Sequence, residues 1–175
     1  PEGLSIAQMA ALMPDPEAFL QAAADPELIA ELGIAAETLE GFLMPNTYFF
    51  DGQPGEREVV ARMVEQFQKE YAALRESIAS ARNRDLLEVI TLASLIEEEA
   101  RLDAERPLVS AVLSNRIRQR MPLQMDSTLQ YALNKYGQRL LDADKEVDSP
   151  YNTYKNPGLP PGPISNPGVP SIRAA

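Results

Sequence analysis

Residues 88–100 read EVITLASLIEEEA, a nearly unbroken apolar run that ends in three consecutive glutamates. From Leu86 to Ile96 almost every side chain is apolar or small, which predicts a helix buried on most sides. With successive residues turned by roughly 100°, the three acids point different ways. Glu98 shares an arc with Thr91 and Ser94 and is expected in solvent. Glu97 falls beside Leu86, Ile90 and Ala93. Glu99 falls next to Leu92, between it and Leu95. Two of the three carboxyls are therefore aimed along the edges of an apolar surface. Loss of water there disfavours a carboxylate's charged form, the condition under which a glutamic acid serves as a general acid. The plainer alternative is an acidic, frayed helix end. Acids at a helix C-terminus oppose the macrodipole, which favours either a helix that continues past them or a role for them. Periodicity excludes Glu98 and leaves Glu97 and Glu99 level.

Composition narrows the chemistry further. The 175 residues suffice for one domain, or one domain with a small appended lobe. Sixteen basic against 26 acidic residues give a net charge of -10, which argues against nucleic acid or an anionic lipid surface as the main partner. There is no Cys, His or Trp. Disulfides, thiolate nucleophiles, Ser-His-Asp triads and Cys or His metal sites are thereby excluded, and neither a metal nor a cofactor is expected. Acid–base work must rest on carboxylates, Lys, Tyr, Ser or Thr. No run approaches the ~20 apolar residues of a membrane span, and no signal peptide is present. From the opening on Pro1 and the stop at Ala175, a piece of a longer protein is expected.

Along the chain, residues 1–33 read as short helices. Ser5 caps SIAQMAALM, and Asp15-Pro16 and Asp25-Pro26 each place an N-cap acid before a proline at the first helical position. Gly33 is the expected stop. LEGFLMPNTYFF (39–50) turns at Pro45 and is either a loop closing the core or a pocket wall with Glu40 and Tyr48 open to a ligand. From Glu56 to about Arg82 a long amphipathic helix is expected, with Val59, Val60, Met63, Val64, Phe67, Tyr71, Leu74 and Ile78 on its core face. Asn83 to Asp85 separate it from the next helix. RPLVSAVLSNRIRQRM (106–121) is a further helix, with Asn115 expected among Val109, Val112, Leu113 and Ile117 as a buried amide. Pro122 ends it. Ser127 or Asp126 then caps a helix that stops at Gly137, and 138–148 reads as a surface loop. Residues 149–171 interleave Tyr151, Tyr154, Asn152, Asn166, Leu159 and Ile164 with prolines. A solvated linker has little use for such side chains, whereas rigid extended backbone with aromatics and amides suits a grip on an extended ligand.

Several segments together resemble one family. LEGFLMPNTY, LASLIEEEA, VSAVLSNRIRQRMPLQMDSTLQYAL and SPYNTYKNPGLPPGPISNPG occur in the order, and with the chemistry, of the endolytic murein transglycosylases, the YceG-like family. The resemblance runs from Pro1 to Ala175 and implies a catalytic domain over 1–175, with a helical entry lobe at 1–38 and a catalytic core at 39–175. Family members are held in the bacterial cytoplasmic membrane by one N-terminal helix, carry a LysM-like lobe and cleave nascent peptidoglycan outside that membrane. By this resemblance the chain lacks the anchor, most of the LysM-like lobe and the last stretch of the domain, and would be soluble. Peptidoglycan synthases are the implied protein partners. The family's Glu-Lys-Glu motif reads Glu97-Glu98-Glu99 here, so the catalytic acid carries over to Glu99. Asn115, Gln124, Asp126, Thr128, Asn152 and Tyr154 match other motif positions and, with Glu97, are the implied substrate-binding set.

The implied reaction breaks the bond from N-acetylmuramic acid to N-acetylglucosamine without water. Glu99 acts first as acid and then as base, and the muramic 6-hydroxyl closes a 1,6-anhydro ring. A hydrolase needs a second carboxylate; here the nucleophile is built into the substrate. Rival readings are a lysozyme-type hydrolase using Asp126 or Glu97, and a non-catalytic glycan-binding scaffold. Lyase chemistry on pyridoxal phosphate is rejected, because Lys69, Lys135, Lys145 and Lys155 all read as exposed. The expected fold is α+β but mostly α, like the helical lysozymes and transglycosylases. Short strands are expected from 42–50, 122–126 and the proline-rich segment, which is expected to lie over the same cleft as Glu99.

Overall fold

The computed structural model describes residues 1–75 and 85–175. In chain order the helices are α1 (Ile6–Ala10), α2 (Pro16–Ala23), α3 (Pro26–Glu31), α4 (Glu56–Arg75), α5 (Leu86–Glu99), α6 (Arg106–Arg118), α7 (Asp126–Ala132) and α8 (Val169–Ala174), with 3-10 turns at Asp103–Glu105 and Asp142–Glu146. The expected extension of α4 to Arg82, including Ile78, and most of the break before α5 lie outside the described residues.

Local chemistry accounts for the helix starts. Ser5 accepts from the Gln8 N–H at 3.3 Å, and the Gln8 side chain accepts from the Ser5 N–H at 2.9 Å, a capping box. Asp15 and Asp25 cap α2 and α3 through the N–H groups of Ala18 and Glu27. Gly33, at φ +67, follows the end of α3, a conformation that strains other residues.

Helix α5 is the spine. Every residue from Val89 to Ile96 is buried, as expected of a helix apolar on all sides. Helices α6, α7 and α8 pack against it. Its Val89, Ile90 and Ala93 join a core built from α1–α4, residues 39–44 and Ile172. There Phe42 meets Phe67 edge to face at 5.2 Å. Its Leu92, Leu95 and Ile96 join a second core with Leu113, Leu123, Met125 and Ile164. At about 1.5–3 kcal/mol for each fully buried aliphatic side chain, this double engagement fixes where the end of α5 lies.

The expected strands are absent among the described residues: the chain there is helix, turn and unpaired extended backbone, so the fold is helical and not α+β. Proline explains much of this. Pro45, Pro122, Pro160, Pro161 and Pro163 remove N–H donors from segments that would need them in a ladder. The remaining donors take single partners. Met44 N–H reaches Met63 O, Gln124 N–H reaches Thr153 O, and Ile164 N–H reaches the Ser94 hydroxyl.

Asn166 replaces a ladder at the centre. Its Oδ1 accepts from the N–H groups of Gly41 and Leu43, both at 2.9 Å. Its Nδ2 donates to Leu4 O at 3.0 Å and Glu40 Oε1 at 2.8 Å. One amide therefore ties together the N-terminal segment, the 40–43 turn and the proline-rich segment. Gly41 sits in this crossing at φ +87, where a Cβ would come within 2.5 Å of Pro163 and 2.7 Å of Ile90.

Candidate active site

The three glutamates at the end of α5 enter three environments. Ala100 leaves the helix with ψ 122, so Glu99 is its last residue and points out of the packed region. Glu99 is exposed and lines a cleft of about 750 Å³ with Arg101, Glu105, Leu108, Val112, Gln124, Asp126 and Tyr154 among others. The Ser127 hydroxyl donates to Glu99 Oε1 at 3.0 Å. Tyr154 donates its hydroxyl to Asp126 Oδ1 at 2.6 Å. Burial, that bond and the negative charges of Asp126 and Glu99 push the Tyr154 hydroxyl pKa up to about 12, so it remains a donor at neutral pH. Lys145 lies 5.3 Å from the centre of the Tyr154 ring. The proline-rich segment thus does share a cleft with Glu99, through Tyr154.

Glu97 turns the other way. Its side chain is 8% exposed, 3.4 Å from the Arg106 guanidinium, and it accepts from the Gly168 N–H at 3.1 Å. Arg106 also bonds Asp103 and the Ser171 hydroxyl. This carboxyl therefore joins α5 to α6 and to the start of α8, and it does not line the Glu99 cleft. Glu98 is exposed, as its place on the helix predicts. Partial burial of its carboxyl is nonetheless the main cause of a raised pKa, with the charges of Glu97 and Glu99 adding to the shift and nearby Ser165 opposing it.

The remaining sequence-derived residues separate into two groups. Gln124 and Asp126 line the cleft with Tyr154 and Glu99. Thr128 and Asn152 are buried and act from behind it. Thr128 bonds Met125 O at 2.8 Å and the Thr153 hydroxyl at 3.0 Å. Asn152 donates to Lys145 O and Val147 O and accepts from the Tyr154 N–H at 3.1 Å, which seats the tyrosine. Asn115 is not the expected buried amide. It is exposed, accepts from Arg118 at 2.6 Å and lies outside the cleft lining. At roughly 100° per residue Asn115 falls beside Leu108, which is 68% exposed, and away from Leu113 and Ile117, which pack into the second core.

Of the two expectations for residues 39–50, a core-closing loop or a pocket wall, Glu40 carries part of each: it is 5% exposed and borders a separate cavity with Tyr151 and Pro163. It accepts from Ile6 N–H at 3.1 Å and from Asn166. Burial raises its pKa from 4.5 to about 7, against the Ile6, Tyr131 and Asn166 donors. Ser127 or Asp126 is the expected cap of α7, but Met125 holds the cap position without a side-chain bond, and the Ser127 hydroxyl donates to Glu99. Its spacing from the acid gave no signal, since the two are brought together only by α7 packing on α5. Helix α7 also ends before Gly137, at Ala132, with Asn134 at φ 52.

A family model described as the YceG-like family matches residues 1–175. The chain belongs to the YceG-like family. It is 44% identical over 138 residues to an endolytic murein transglycosylase of Bacillus subtilis, covering 78% of this chain and 38% of that protein. It is 34% identical over 159 residues to an endolytic murein transglycosylase of Streptococcus pneumoniae, covering 86% of this chain and 29% of that protein. The chain thus spans well under half the length of these YceG-like relatives. A 2.6 Å crystal structure of a YceG-like protein from Listeria monocytogenes is similar over 100% of this chain and 64% of that one, with a TM-score of 0.89 and 34% identity. No described helix of the present YceG-like chain is long and apolar enough to cross a membrane.

Proposed function

We propose that this chain is the catalytic part of an endolytic peptidoglycan lytic transglycosylase, with Glu99 as general acid and then general base. One observation carries the reading: among the three glutamates, Glu99 opens into the cleft that also holds Tyr154, Asp126 and Gln124. Relatives named endolytic murein transglycosylases support the substrate class. The cleft, of about 750 Å³, sets Arg101 and Arg116 against Glu99, Glu105 and Asp126, so binding an anionic polymer falls mainly to hydroxyl and amide hydrogen bonds and to the Tyr154 and Leu108–Val112 surfaces.

In this mechanism the glycan strand covers Glu99 and excludes water, which strengthens the local electrostatics. The protonated carboxyl gives its proton to the glycosidic oxygen as the bond from muramic C1 to that oxygen breaks. The carboxylate then takes the proton of the muramic 6-hydroxyl as O6 bonds to C1. No water is consumed, and the nucleophile's effective concentration is high because it belongs to the same sugar. The same reading places the parent protein at the bacterial cytoplasmic membrane, acting on its outer side near peptidoglycan synthases.

A lysozyme-type hydrolysis is the second reading, favoured by Asp126 in the same cleft as Glu99. Glu97 is not its second carboxylate, being bonded to Arg106 and Gly168. Digestion of uncrosslinked glycan strands tests both. Glu99→Gln is expected to lose about 100-fold or more in rate. Asp126→Asn is expected to abolish cleavage only if Asp126 is a nucleophile or base. Unchanged cleavage by Glu99→Gln would leave the chain a glycan-binding scaffold.

A further inference from the structure

Among the described residues, the hydrogen bond made to the Glu99 carboxyl comes from Ser127, with Oγ 3.0 Å from Oε1. Ser127 is held firmly. Its neighbours Met125 and Leu129 are buried, 5% and 0% exposed. Met125 N–H donates to the Thr153 hydroxyl at 2.9 Å, Gln124 N–H to Thr153 O at 3.0 Å, and the Thr128 hydroxyl to Met125 O at 2.8 Å. Gln124 itself is in the left-handed region at φ 55, a conformation unfavourable for a residue with a side chain that these bonds maintain. A serine hydroxyl has one proton to donate. Here it goes to Glu99.

We infer that Ser127 is a positioning residue for Glu99, holding one carboxyl oxygen so that the other alone exchanges the proton with the glycan. This rests on the acid–base role proposed for Glu99. The chemistry requires such an arrangement. In the neutral acid Oε1 is the carbonyl oxygen and the proton sits on Oε2; in the carboxylate Oε1 carries part of the charge. Ser127 donates to Oε1 in both forms, so the bond survives the proton's departure. Oε2 gives its proton to the glycosidic oxygen as the C1–O bond breaks, and receives the O6 proton as O6 bonds to C1. A carboxyl that rotated between these events would have to find its geometry twice.

Steady-state cleavage of uncrosslinked glycan strands by the full-length protein tests the inference. Ser127→Ala is expected to lower kcat about 10- to 100-fold, the worth of a hydrogen bond to a charged group, with KM within a factor of about 3 and the thermal unfolding temperature unchanged. Ser127→Thr, which keeps the hydroxyl, is expected to restore most of kcat. Adding Ser127→Ala to Glu99→Gln is expected to have no further effect, because the two act as one unit. Wild-type kcat in Ser127→Ala, a change in KM alone, or a loss that Ser127→Thr does not recover would overturn the role of Ser127 while leaving that of Glu99. Undiminished cleavage by Glu99→Gln would instead overturn the reading on which it rests.

Discussion

Glu97 and Glu99 leave the same helix two residues apart and reach opposite fates. Glu97 lies among α5, α6 and the start of α8, 8% exposed, with a guanidinium and a backbone N–H as partners. Glu99 stands at the mouth of a cleft with a serine hydroxyl on one oxygen. Glu40 makes a third case: it is 5% exposed at the wall of another cavity, and its raised pKa of about 7 is the kind sought in a general acid. Yet its carboxyl is occupied by Ile6 and Asn166. A buried carboxyl with a high proton affinity is therefore not by itself a catalytic one. Glu99 differs in having an exposed carboxyl within its cleft; Glu40 also borders a cavity, beside Tyr151 and Pro163, but is 5% exposed and bonded to Ile6 and Asn166.

That contrast yields graded predictions. Glu97→Ala is expected to destabilise the protein by up to about 3–5 kcal/mol, because it removes the buried acid of Arg106 and leaves only the exposed Asp103 to pair with it, and lost activity should track the folded fraction in denaturant titrations. A stable Glu97→Ala protein with no activity would move the reactive group to Glu97. Glu40 makes a somewhat smaller and pH-dependent contribution. Its folded pKa lies above the unfolded value, so as pH rises from about 4.5 to about 7 the unfolded chain releases its proton first and stability falls. The fall amounts to about 3 kcal/mol in order of magnitude and levels off above that range. Glu40→Gln keeps an acceptor for Ile6 and Asn166 and is expected to remove this slope, measurable by urea unfolding at pH 5 and pH 8. Parallel stability curves for the two proteins would show that Glu40 is not the group responsible. Smallest of all, Asn115→Ala is expected to change stability by no more than about 0.5 kcal/mol. Its bond to Arg118 is at the surface, and cleavage rates should stay near wild type. A large loss would return Asn115 to the site.

Much of this was legible in the sequence where a local rule governs. Ser5, Asp15 and Asp25 announce their helices, and the apolar run before Glu97 announces the buried spine. The shared cleft of Glu99 and Tyr154 was legible through resemblance, since no local pattern links residues so far apart. Strands at 42–50 and 122–126 were misread because extended conformation and ladder pairing are different things. The prolines enforce the first and forbid the second, and Asn166 takes the place of a neighbouring strand. Asn115 is exposed because, at roughly 100° per residue, it lies beside Leu108 on the open side of α6 and not between Val112 and Ile117. The face of α6 bearing Leu108 and Val112 is left open to the cleft. Ser127 went unnoticed as a partner of Glu99 because a serine at a helix start already has a conventional explanation.

The central claim is that Glu99 cleaves glycan strands by acid–base transfer without water. It is tested most directly by mass analysis of the ends produced from uncrosslinked peptidoglycan strands by the wild-type protein and by Glu99→Gln. The account predicts 1,6-anhydro-N-acetylmuramic acid ends from the wild type and essentially none from Glu99→Gln. Reducing ends carrying an added water, or anhydro ends undiminished in Glu99→Gln, would contradict it.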